Sequence, residues 1–241
     1  MSGARELHVV RLGVMAYAEA LELQRAAARA RISGAIPQDL LLLVEHPPVV
    51  TMGRTAKRQH LTTSAELLAA RGVELFEVER GGDVTYHGPG QLVGYPIVDL
   101  KRHKQDLHWY LRQVEEAVIV AIGERGIIGE RSAGYTGVWT RGVAGAEPHP
   151  ARKITSIGVH ARDWVTWHGF ALNVATELSY FDLIVPCGIP GVDMTSMARE
   201  LGATITMREA EDAAARAFGA VFNLEPVETP LPSLALGAAV A

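Results

Sequence analysis

Helix-type and strand-type segments alternate along this chain, and the alternation constrains its fold more than any other feature of the sequence. Residues 15–31, MAYAEALELQRAAARAR, are rich in strong helix formers with interleaved charges. Residues 40–45 form a short apolar strand that ends at a His-Pro-Pro sequence. Residues 106–124 hold the longest helical pattern, with one apolar stripe at helical spacing. This order of elements predicts a single α/β domain.

The remaining predicted elements are shorter and follow the same alternation. We expect further strands over residues 49–52, 73–79, 91–100, 154–159, 165–174 and 181–185. We expect further helices over residues 196–201 and 207–222, and one up to about residue 70 that begins at the capping-box spacing of Thr63 and Glu66. Residues 139–151 are a flexible loop by composition. The Pro/Ala-rich end predicts a domain of residues 1–223 followed by a loosely ordered tail, residues 224–241.

Charge and cysteine content exclude several classes of protein. Of the 241 residues, 48% are hydrophobic and 21% are charged, which is sufficient for a sizeable core. The net charge of −4, with no run of Lys or Arg, gives no reason to expect a nucleic-acid partner. A single cysteine excludes an internal disulfide framework and suits a reducing compartment. Because no signal-peptide pattern and no membrane-spanning apolar stretch is present, we expect a cytoplasmic protein without a membrane partner. We also expect it to be a monomer.

The only cysteine, Cys187, lies in the sequence FDLIVPCGIPG, residues 181–191. Proline restricts its own φ and that of its neighbour, whereas glycine accepts unusual conformations and leaves space above the chain. The sequence therefore predicts a buried strand that ends in an abrupt turn at Pro186–Gly188, which is a suitable position for a nucleophilic thiol. The alternative is an inert cysteine that packs as a small hydrophobic residue.

A glycine-rich segment, RGGDVTYHGPGQLVGYP, occupies residues 80–96. It lacks the Gly-Lys-Ser/Thr of a P-loop and the spacing of a dinucleotide-binding fingerprint. Two glycine corners around a short strand allow the backbone to approach a bound molecule closely. Arg80, Tyr86 and His87 then supply a charge, an aromatic wall and a titratable group. The alternative is a plain β-hairpin with its turn at residues 88–90.

A third informative segment is RKITSIGVHARDWVTWHGFALNV, residues 152–174. Lys153 begins a predicted strand after the flexible loop, and a lysine in such a place is by default solvated. His168 precedes a glycine and a buried strand, where histidine is more often a structural hydrogen-bonding group than a catalyst. The histidines at 46, 87, 160 and 168 form no close metal-ligand pair, so we assign no metal.

Four segments occur in order along the chain: EHPPVVTMGR, the glycine-rich segment, the segment that contains Lys153 and the segment that contains Cys187. Together they give residues 40–201 a resemblance to the lipoyl(octanoyl) transferase family. These enzymes are octanoyl-[acyl-carrier-protein]:protein N-octanoyltransferases. The resemblance implies the biotin/lipoate protein ligase fold, a mixed β-sheet with surrounding helices. It also implies an acyltransferase without a cofactor that carries out the first step of endogenous protein lipoylation. Octanoyl or lipoyl groups would pass from acyl carrier protein to a lysine of the lipoyl domains of 2-oxoacid dehydrogenases and of the glycine cleavage H protein.

The resemblance also implies roles for particular residues. Cys187 would carry the acyl group as a thioester, with Lys153 beside it as the second member of a cysteine–lysine dyad. The substrate-binding residues would be Arg80, Gly81, Gly82, Asp83, Val84, Thr85, Tyr86, His87, Ser156, Ile157, Gly158, Gly169, Phe170 and Ala171. Trp167 stands where smaller or polar residues are usual and would narrow the acyl tunnel if it faces the pocket. The loop of residues 142–150 is longer than expected for the family.

The chemistry of acyl transfer agrees with these residue types. A lysine ammonium near the thiol favours the nucleophilic thiolate, and the neutral lysine could then accept the proton of the attacking substrate lysine. Backbone N–H groups near Cys187 and Gly188, or in the glycine-rich segment, are candidates for holding the tetrahedral oxyanion.

Three alternatives remain open at the level of sequence. An ATP-dependent lipoate-protein ligase has the same fold and would not need Cys187. A thiol hydrolase or amidase would use Cys187 with His87 or His168. A non-catalytic binding module would leave the cysteine inert.

Overall fold

The computed structural model describes residues 5–234 and consists of two β-sheets with helices packed against them. The helices are α1 (Tyr17–Ser33), α2 (Ala65–Ala70), α3 (Leu107–Gly123), α4 (Met197–Leu201) and α5 (Met207–Phe222). The strands are β1 (Glu6–Val14), β2 (Asp39–Glu45), β3 (Val49–Met52), β4 (Glu74–Glu77), β5 (Val84–His87), β6 (Gln91–Ile97), β7 (Ile127–Glu130), β8 (Gly137–Val143), β9 (Arg152–Arg162), β10 (Val165–Asn173) and β11 (Glu225–Glu228). Among residues 5–234, no helix is long and apolar enough to cross a membrane.

Eight strands form the large sheet, in the order β11-β1-β2-β6-β10-β9-β8-β7. The pairs β11-β1 and β1-β2 are parallel and the others are antiparallel, so the sheet is mixed. Helices α3 and α5 pack on one face and α1 on the other. In β2, Leu41 and Leu43 enter the first core whereas Leu40 and Leu42 enter the second. The continuous apolar run of β2 therefore reflects a strand that is covered on both faces, and the predicted α/β fold class is confirmed.

The small sheet has the order β4-β3-β5, so the two strands of the glycine-rich segment, β5 and β6, belong to different sheets. Strand β5 pairs with β3, whereas β6, which follows after only three residues, pairs with β2 and β10 in the large sheet. The plain hairpin at residues 88–90 is therefore wrong. Because β5 and β6 diverge into different sheets, a space opens between them.

Residues 181–185 do not form the predicted strand. Leu178–Leu183 is a 3₁₀ segment that begins where the backbone N–H of Ser179 donates to the Glu177 carboxylate (3.1 Å). Ile184 makes only an isolated bridge to Leu61. The apolar residues that suggested a strand are buried in a cluster beneath the small sheet, so they report burial and not strand pairing.

Several predicted boundaries are also wrong. Strand β8 extends to Val143 and pairs with β9, so the loop predicted from residue 139 begins only after it. The N-cap of α2 is Ser64, whose side chain accepts from Leu67 N, and not Thr63. The tail is not loosely ordered at residues 225–228, because β11 pairs with β1. Residues 235–241 of the predicted tail lie outside the described part of the chain. Strands β1, β7 and β11 were not predicted. Strands β7 and β11 are the two edges of the large sheet, and each is only four residues long, so their pattern is weak.

Candidate active site

Cys187 lies at the centre of a tight turn between β10 and α4. Its φ and ψ are 56° and 20°, and Gly188 follows with a φ of 66°, so two successive residues are left-handed. The turn is closed by a hydrogen bond from Gly188 N to Val185 O (2.9 Å). A left-handed conformation strains any residue that has a β-carbon. The partly exposed cysteine is therefore held in a conformation that its surroundings must impose.

Lys153 lies in β9 and is completely buried, so the default expectation of a solvated lysine is wrong. Its Nζ donates to Sγ of Cys187 at 2.9 Å and lies 4.9 Å from the centroid of the Trp139 ring. Its backbone N–H donates to Asp193 O (2.7 Å), and its carbonyl accepts from Thr195 N (2.9 Å). These bonds fix the segment after Cys187 against β9, so that residues 34 positions apart meet.

The pKa of Cys187 lies below its ordinary value. Burial raises the pKa of this thiol, but the positive charge and hydrogen bond of Lys153 outweigh that effect. Ser156, whose Oγ lies 3.6 Å from Sγ, and the more distant charge of Arg80 lower the pKa further. Because the thiolate is the reactive form of cysteine, this environment favours a nucleophile at neutral pH.

A cavity of about 190 Å³ opens beside Cys187, over strands β9, β10 and β6 and under β5. Eleven of the fourteen expected substrate-binding residues line it: Arg80, Gly82, Asp83, Thr85, His87, Ser156, Ile157, Gly158, Gly169, Phe170 and Ala171. Gly81, Val84 and Tyr86 are not among its lining residues. The structure therefore brings most of the expected set to one cavity.

The other three residues have different contacts. Gly81 N donates to Val159 O (2.8 Å), which brings the glycine-rich segment against β9. A Cβ at Gly158 would lie only 2.7 Å from Gly81 O, so this close approach requires glycine at position 158. Val84 and Tyr86 are buried on the side of β5 away from the cavity, where the Tyr86 ring stacks on Tyr180 at 4.9 Å. Alternation along the strand explains why Thr85 and His87 line the cavity instead.

Sequence reasoning did not select several residues that line the cavity: Tyr17, Val93, Tyr95, Gly134, Tyr135, Thr136, His168 and Ile189. The sequence predicts for His168 a structural hydrogen-bonding role or, in the hydrolase alternative, a catalytic one, but not a place in the wall of the cavity. The alternation of β6 was a usable signal for Val93 and Tyr95, which are two positions apart and face the same side. No local signal identifies Tyr17, because it reaches the cavity only through the packing of α1 on the sheet.

The inner end of the cavity, on the side of β6 and α1, is lined by Tyr17, His87 and Tyr95, and His46 lies behind Tyr95 without lining the cavity. His46 Nδ1 lies 2.8 Å from Met15 O, and its Nε2 lies 2.7 Å from the hydroxyl of Tyr95. Since a carbonyl only accepts, Nδ1 carries the proton and Tyr95 donates to Nε2. His87 is stacked on Tyr17, with ring centroids 6.0 Å apart. Burial lowers the pKa of His46 to about 4 and that of His87 to about 3, so both are neutral at pH 7.

The remaining sequence-based candidates are not in contact with the thiol. Among residues 5–234, the hydrogen-bond partners of Sγ are Lys153 and Ser156, and neither His87 nor His168 is one of them. Trp167 donates its indole N–H to Glu79 (2.9 Å) and does not line the cavity, so it does not narrow it. The N–H of Gly188 is already donated to Val185 O and is not free for an oxyanion. The described residues contain no group of three or more His, Cys, Asp or Glu arranged to hold a metal.

The fold and this site define a class of protein. Residues 16–219 match the family described as the lipoyl protein ligase A/B catalytic domain, and the chain belongs to this family. Within it, the chain is 48% identical over 233 residues to the octanoyltransferase of Myxococcus xanthus, covering 96% of this chain and 64% of that protein. It is 48% identical to the octanoyltransferase of Koribacter versatilis and 49% identical to that of Acidobacterium capsulatum. Those matches cover 94% and 95% of this chain and 90% and 97% of the relatives.

Solved structures agree with the fold. A bipartite lipoate protein ligase from Thermoplasma acidophilum superposes with a TM-score of 0.74 at 16% identity, over 94% of this chain and 88% of that one. A lipoate-protein ligase A bound with ATP gives 0.68 at 15% identity, over 95% and 89%. At such low identity these likenesses concern the fold alone, which is that of the lipoate protein ligases.

Proposed function

We propose that this protein is an octanoyltransferase that carries the octanoyl group as a thioester on Cys187 and delivers it to a lysine of an acceptor protein. The observation that carries the proposal is the 2.9 Å contact between Lys153 Nζ and Cys187 Sγ beside a cavity. The choice of octanoyl as the acyl group, and of acyl transfer as the reaction, is based on the octanoyltransferases to which the chain is 48–49% identical.

In the first step, the thiolate of Cys187 attacks the carbonyl carbon of the donor thioester. A new C–S bond forms, the C–S bond to the carrier breaks, and the departing thiolate takes a proton from the ammonium of Lys153. The N–H of Gly188 already donates to Val185 O, so it does not stabilise the oxyanion that develops on the acyl carbonyl. The ammonium of Lys153, in contact with Sγ, would stabilise that charge instead. The products are an acyl-enzyme, a neutral Lys153 and a free carrier thiol.

In the second step, the amine of the acceptor lysine attacks the acyl carbon. An amide C–N bond forms, the thiolate of Cys187 departs, and Lys153 takes the proton lost from the amine, which restores the starting pair. Exchange between two thioesters is close to balanced in free energy, and the amide product is lower in free energy than either thioester. The two reaction steps therefore need no ATP. The lysine thus gives a proton in one half-reaction and receives one in the other.

The acyl chain would lie in the cavity, across β9, β10 and β6. Crossing from the first to the third of three adjacent strands spans roughly 10 Å, a length suited to an extended eight-carbon chain. Val93 and Ala171, which face the α1 side of the sheet, provide apolar wall along this path. The side chains of Ile157 and Phe170 pack into the core with α3 and α5, so these two residues line the cavity through their backbone. Arg80, fixed by hydrogen bonds to Thr51, would hold the glycine-rich segment around the chain.

The proposed partners follow from this reaction. Octanoyl-acyl carrier protein would be the donor, and the lipoyl domains of 2-oxoacid dehydrogenases and the glycine cleavage H protein would be the acceptors. We further propose that the protein acts as a cytoplasmic monomer without a cofactor, in the first step of endogenous lipoylation.

The test is intact-mass analysis after mixing with octanoyl-carrier protein and no acceptor. We expect an added mass of one octanoyl group, removable by hydroxylamine and absent from Cys187→Ser. Addition of an acceptor lipoyl domain should discharge the wild-type adduct to the acceptor. Wild-type turnover by Cys187→Ser would overturn the proposal.

The alternatives give different products. An ATP-dependent lipoate ligase modifies the acceptor from free octanoate and ATP, which the proposed enzyme does not. The buried Lys153–Cys187 pair favours the transferase, because an acyl-adenylate pathway has no use for a thiol. A thiol hydrolase would release free octanoate from the donor without any acceptor.

A further inference from the structure

A second pair of ionisable side chains, His60 and Asp83, lies against the turn that carries Cys187. His60 is the last residue of the 3₁₀ turn Arg58–His60, and Asp83 immediately precedes β5. His60 Nδ1 and Asp83 Oδ2 are 2.7 Å apart, and both side chains are largely buried. Neither residue contacts Sγ among the described hydrogen bonds, so the pair has no part in the proton transfers proposed above.

The pair touches the turn at Gly188. A Cβ at this position would lie 2.6 Å from Asp83 Oδ2 and 3.1 Å from His60 Cε1. The backbone of His60 also holds the turn, because the His60 carbonyl accepts a hydrogen bond from Val185 N (2.7 Å). Two positions further along the chain, Thr62 N donates to Leu183 O (3.0 Å). Residues 60–62 and Asp83 therefore enclose the turn on the side of Gly188.

The turn requires such support because of its conformation. Cys187 has a positive φ, and a residue with a β-carbon keeps that conformation only where neighbouring contacts impose it. Asp83 is well suited to impose it, because its other oxygen, Oδ1, accepts from Val84 N at 2.7 Å. Both carboxylate oxygens are thus occupied, and the face presented to Gly188 is fixed.

Charge gives the pairing a second consequence. A carboxylate without a partner near a thiol disfavours the thiolate, whereas a carboxylate that is hydrogen-bonded to a histidine disfavours it less. The ionised groups that lower the pKa of Cys187 are Lys153 and Arg80. Asp83 has the opposite charge and lies against the same turn at Gly188, so its pairing with His60 reduces the effect that its carboxylate would have on the thiolate.

We propose that His60 and Asp83 are positioning residues for the nucleophile. Their hydrogen bond holds the Cys187 turn in its left-handed form and keeps Sγ in contact with Lys153. The inference concerns the site of the proposed function, but it is tested by the reactivity of the thiol, which does not depend on the identity of the acyl group.

The test is the pH dependence of iodoacetamide alkylation of Cys187 in the full chain. His60→Leu should shift the profile to higher pH and slow alkylation at pH 7 by about tenfold, the effect of raising a thiol pKa by about one unit. His60→Asn, which can still donate to Asp83, should stay within about twofold of the wild type. His108→Leu, at an exposed histidine of α3, is the matched control and should change nothing.

Gly188→Ala provides a second arm, because it leaves both side chains present but drives a methyl group between them and strains the left-handed backbone of the turn. It should reproduce the slow alkylation of His60→Leu, with thermal melts used to establish that each variant is folded. Wild-type alkylation by folded His60→Leu would overturn the proposal, and so would equal slowing in His60→Leu and His60→Asn. If the wild type forms no octanoyl adduct but His60→Leu still slows alkylation, the proposed function fails while the positioning role stands.

Discussion

The two ends of the cavity bury ionisable groups with opposite results. At the reacting end, Lys153 is completely buried and contacts Cys187, whose pKa is lowered. At the inner end, His46 and His87 are as deeply buried, but their hydrogen-bond partners are neutral and their pKa values fall to about 4 and about 3. Burial among neutral partners therefore lowers the pKa of a histidine, whereas a lysine in direct contact lowers the pKa of a buried thiol.

Replacing Lys153 should have the largest effect, because it removes the feature that distinguishes the two ends. Lys153→Met keeps an unbranched side chain against Trp139 but has no charge. We expect octanoyl transfer to fall by about 100-fold or more, the usual contribution of a positioned acid–base group. The pKa of Cys187 should rise, so alkylation should slow near neutral pH and recover at higher pH, whereas transfer should remain impaired. Alkylation profiles and single-turnover transfer are the measurements.

Lys104→Met, at an exposed lysine, is the matched control and should match the wild type in both assays. Identical alkylation profiles for Lys153→Met and the wild type would contradict the assignment of Lys153 as the partner. Arginine is a less useful replacement, because Gly137 lies close to Lys153 Cε and leaves little room for a guanidinium.

The inner end should control how stability depends on pH. The pKa of His46 is about 4 in the folded protein and near 6.5 when unfolded, so the unfolded chain binds the proton more readily between these values. The stabilisation is fully present above pH 6.5 and is lost as the pH falls towards 4, by about 3 kcal/mol. His46→Gln should flatten the fall in the free energy of unfolding between pH 6.5 and 4.5, measured by urea denaturation. His108→Gln should leave the slope unchanged, and an unaltered slope in His46→Gln would show that His46 does not titrate as described.

The same comparison shows what a sequence can and cannot predict. The apolar run of β2 and the helical stripe of α3 were sufficient for the fold class, because burial pattern is local information. The turn at Cys187 was also predictable from its proline and glycine. The contact of Lys153 with Cys187 came only from family resemblance, because a tertiary contact between positions 34 apart leaves no local pattern. Tyr17 and His60 were missed for the same reason, since each reaches the site through the packing of another element.

The space between the two ends should determine which acyl chains are loaded. Ala171 lies on β10 opposite Ser156 on one side and Val93 on the other, at the middle of the path proposed for the chain. Ala171→Phe should slow loading of octanoyl by about tenfold, within the cost of overfilling a packed site, and slow loading of acetyl much less. Gly82 is a poorer choice for this test, because its φ of 84° would strain any larger residue.

The readout for Ala171→Phe is the rate of acyl-enzyme formation with donors of two, four and eight carbons, and Ala171→Val should give an intermediate result. Iodoacetamide is small enough to report the thiol itself, and its reaction should stay near the wild-type rate. Equal slowing for all three donors would place the acyl chain elsewhere.

The smallest expected effect is at Ser156, which separates the contribution of a hydrogen bond from that of a charge at the reacting end. Its Oγ lies 3.6 Å from Sγ and lowers the pKa of Cys187, but less than the charge of Lys153 does. Ser156→Ala should raise that pKa and slow alkylation at pH 7 by about threefold, in keeping with the loss of one long hydrogen bond. Thr155→Val is the matched control, because this buried neighbour points to the other face of β9 and its hydroxyl has no hydrogen-bond partner within residues 5–234. If Ser156→Ala slowed alkylation as much as Lys153→Met, hydrogen bonding and not charge would be the main cause of the lowered pKa, and the contrast with the neutral inner end would need another explanation.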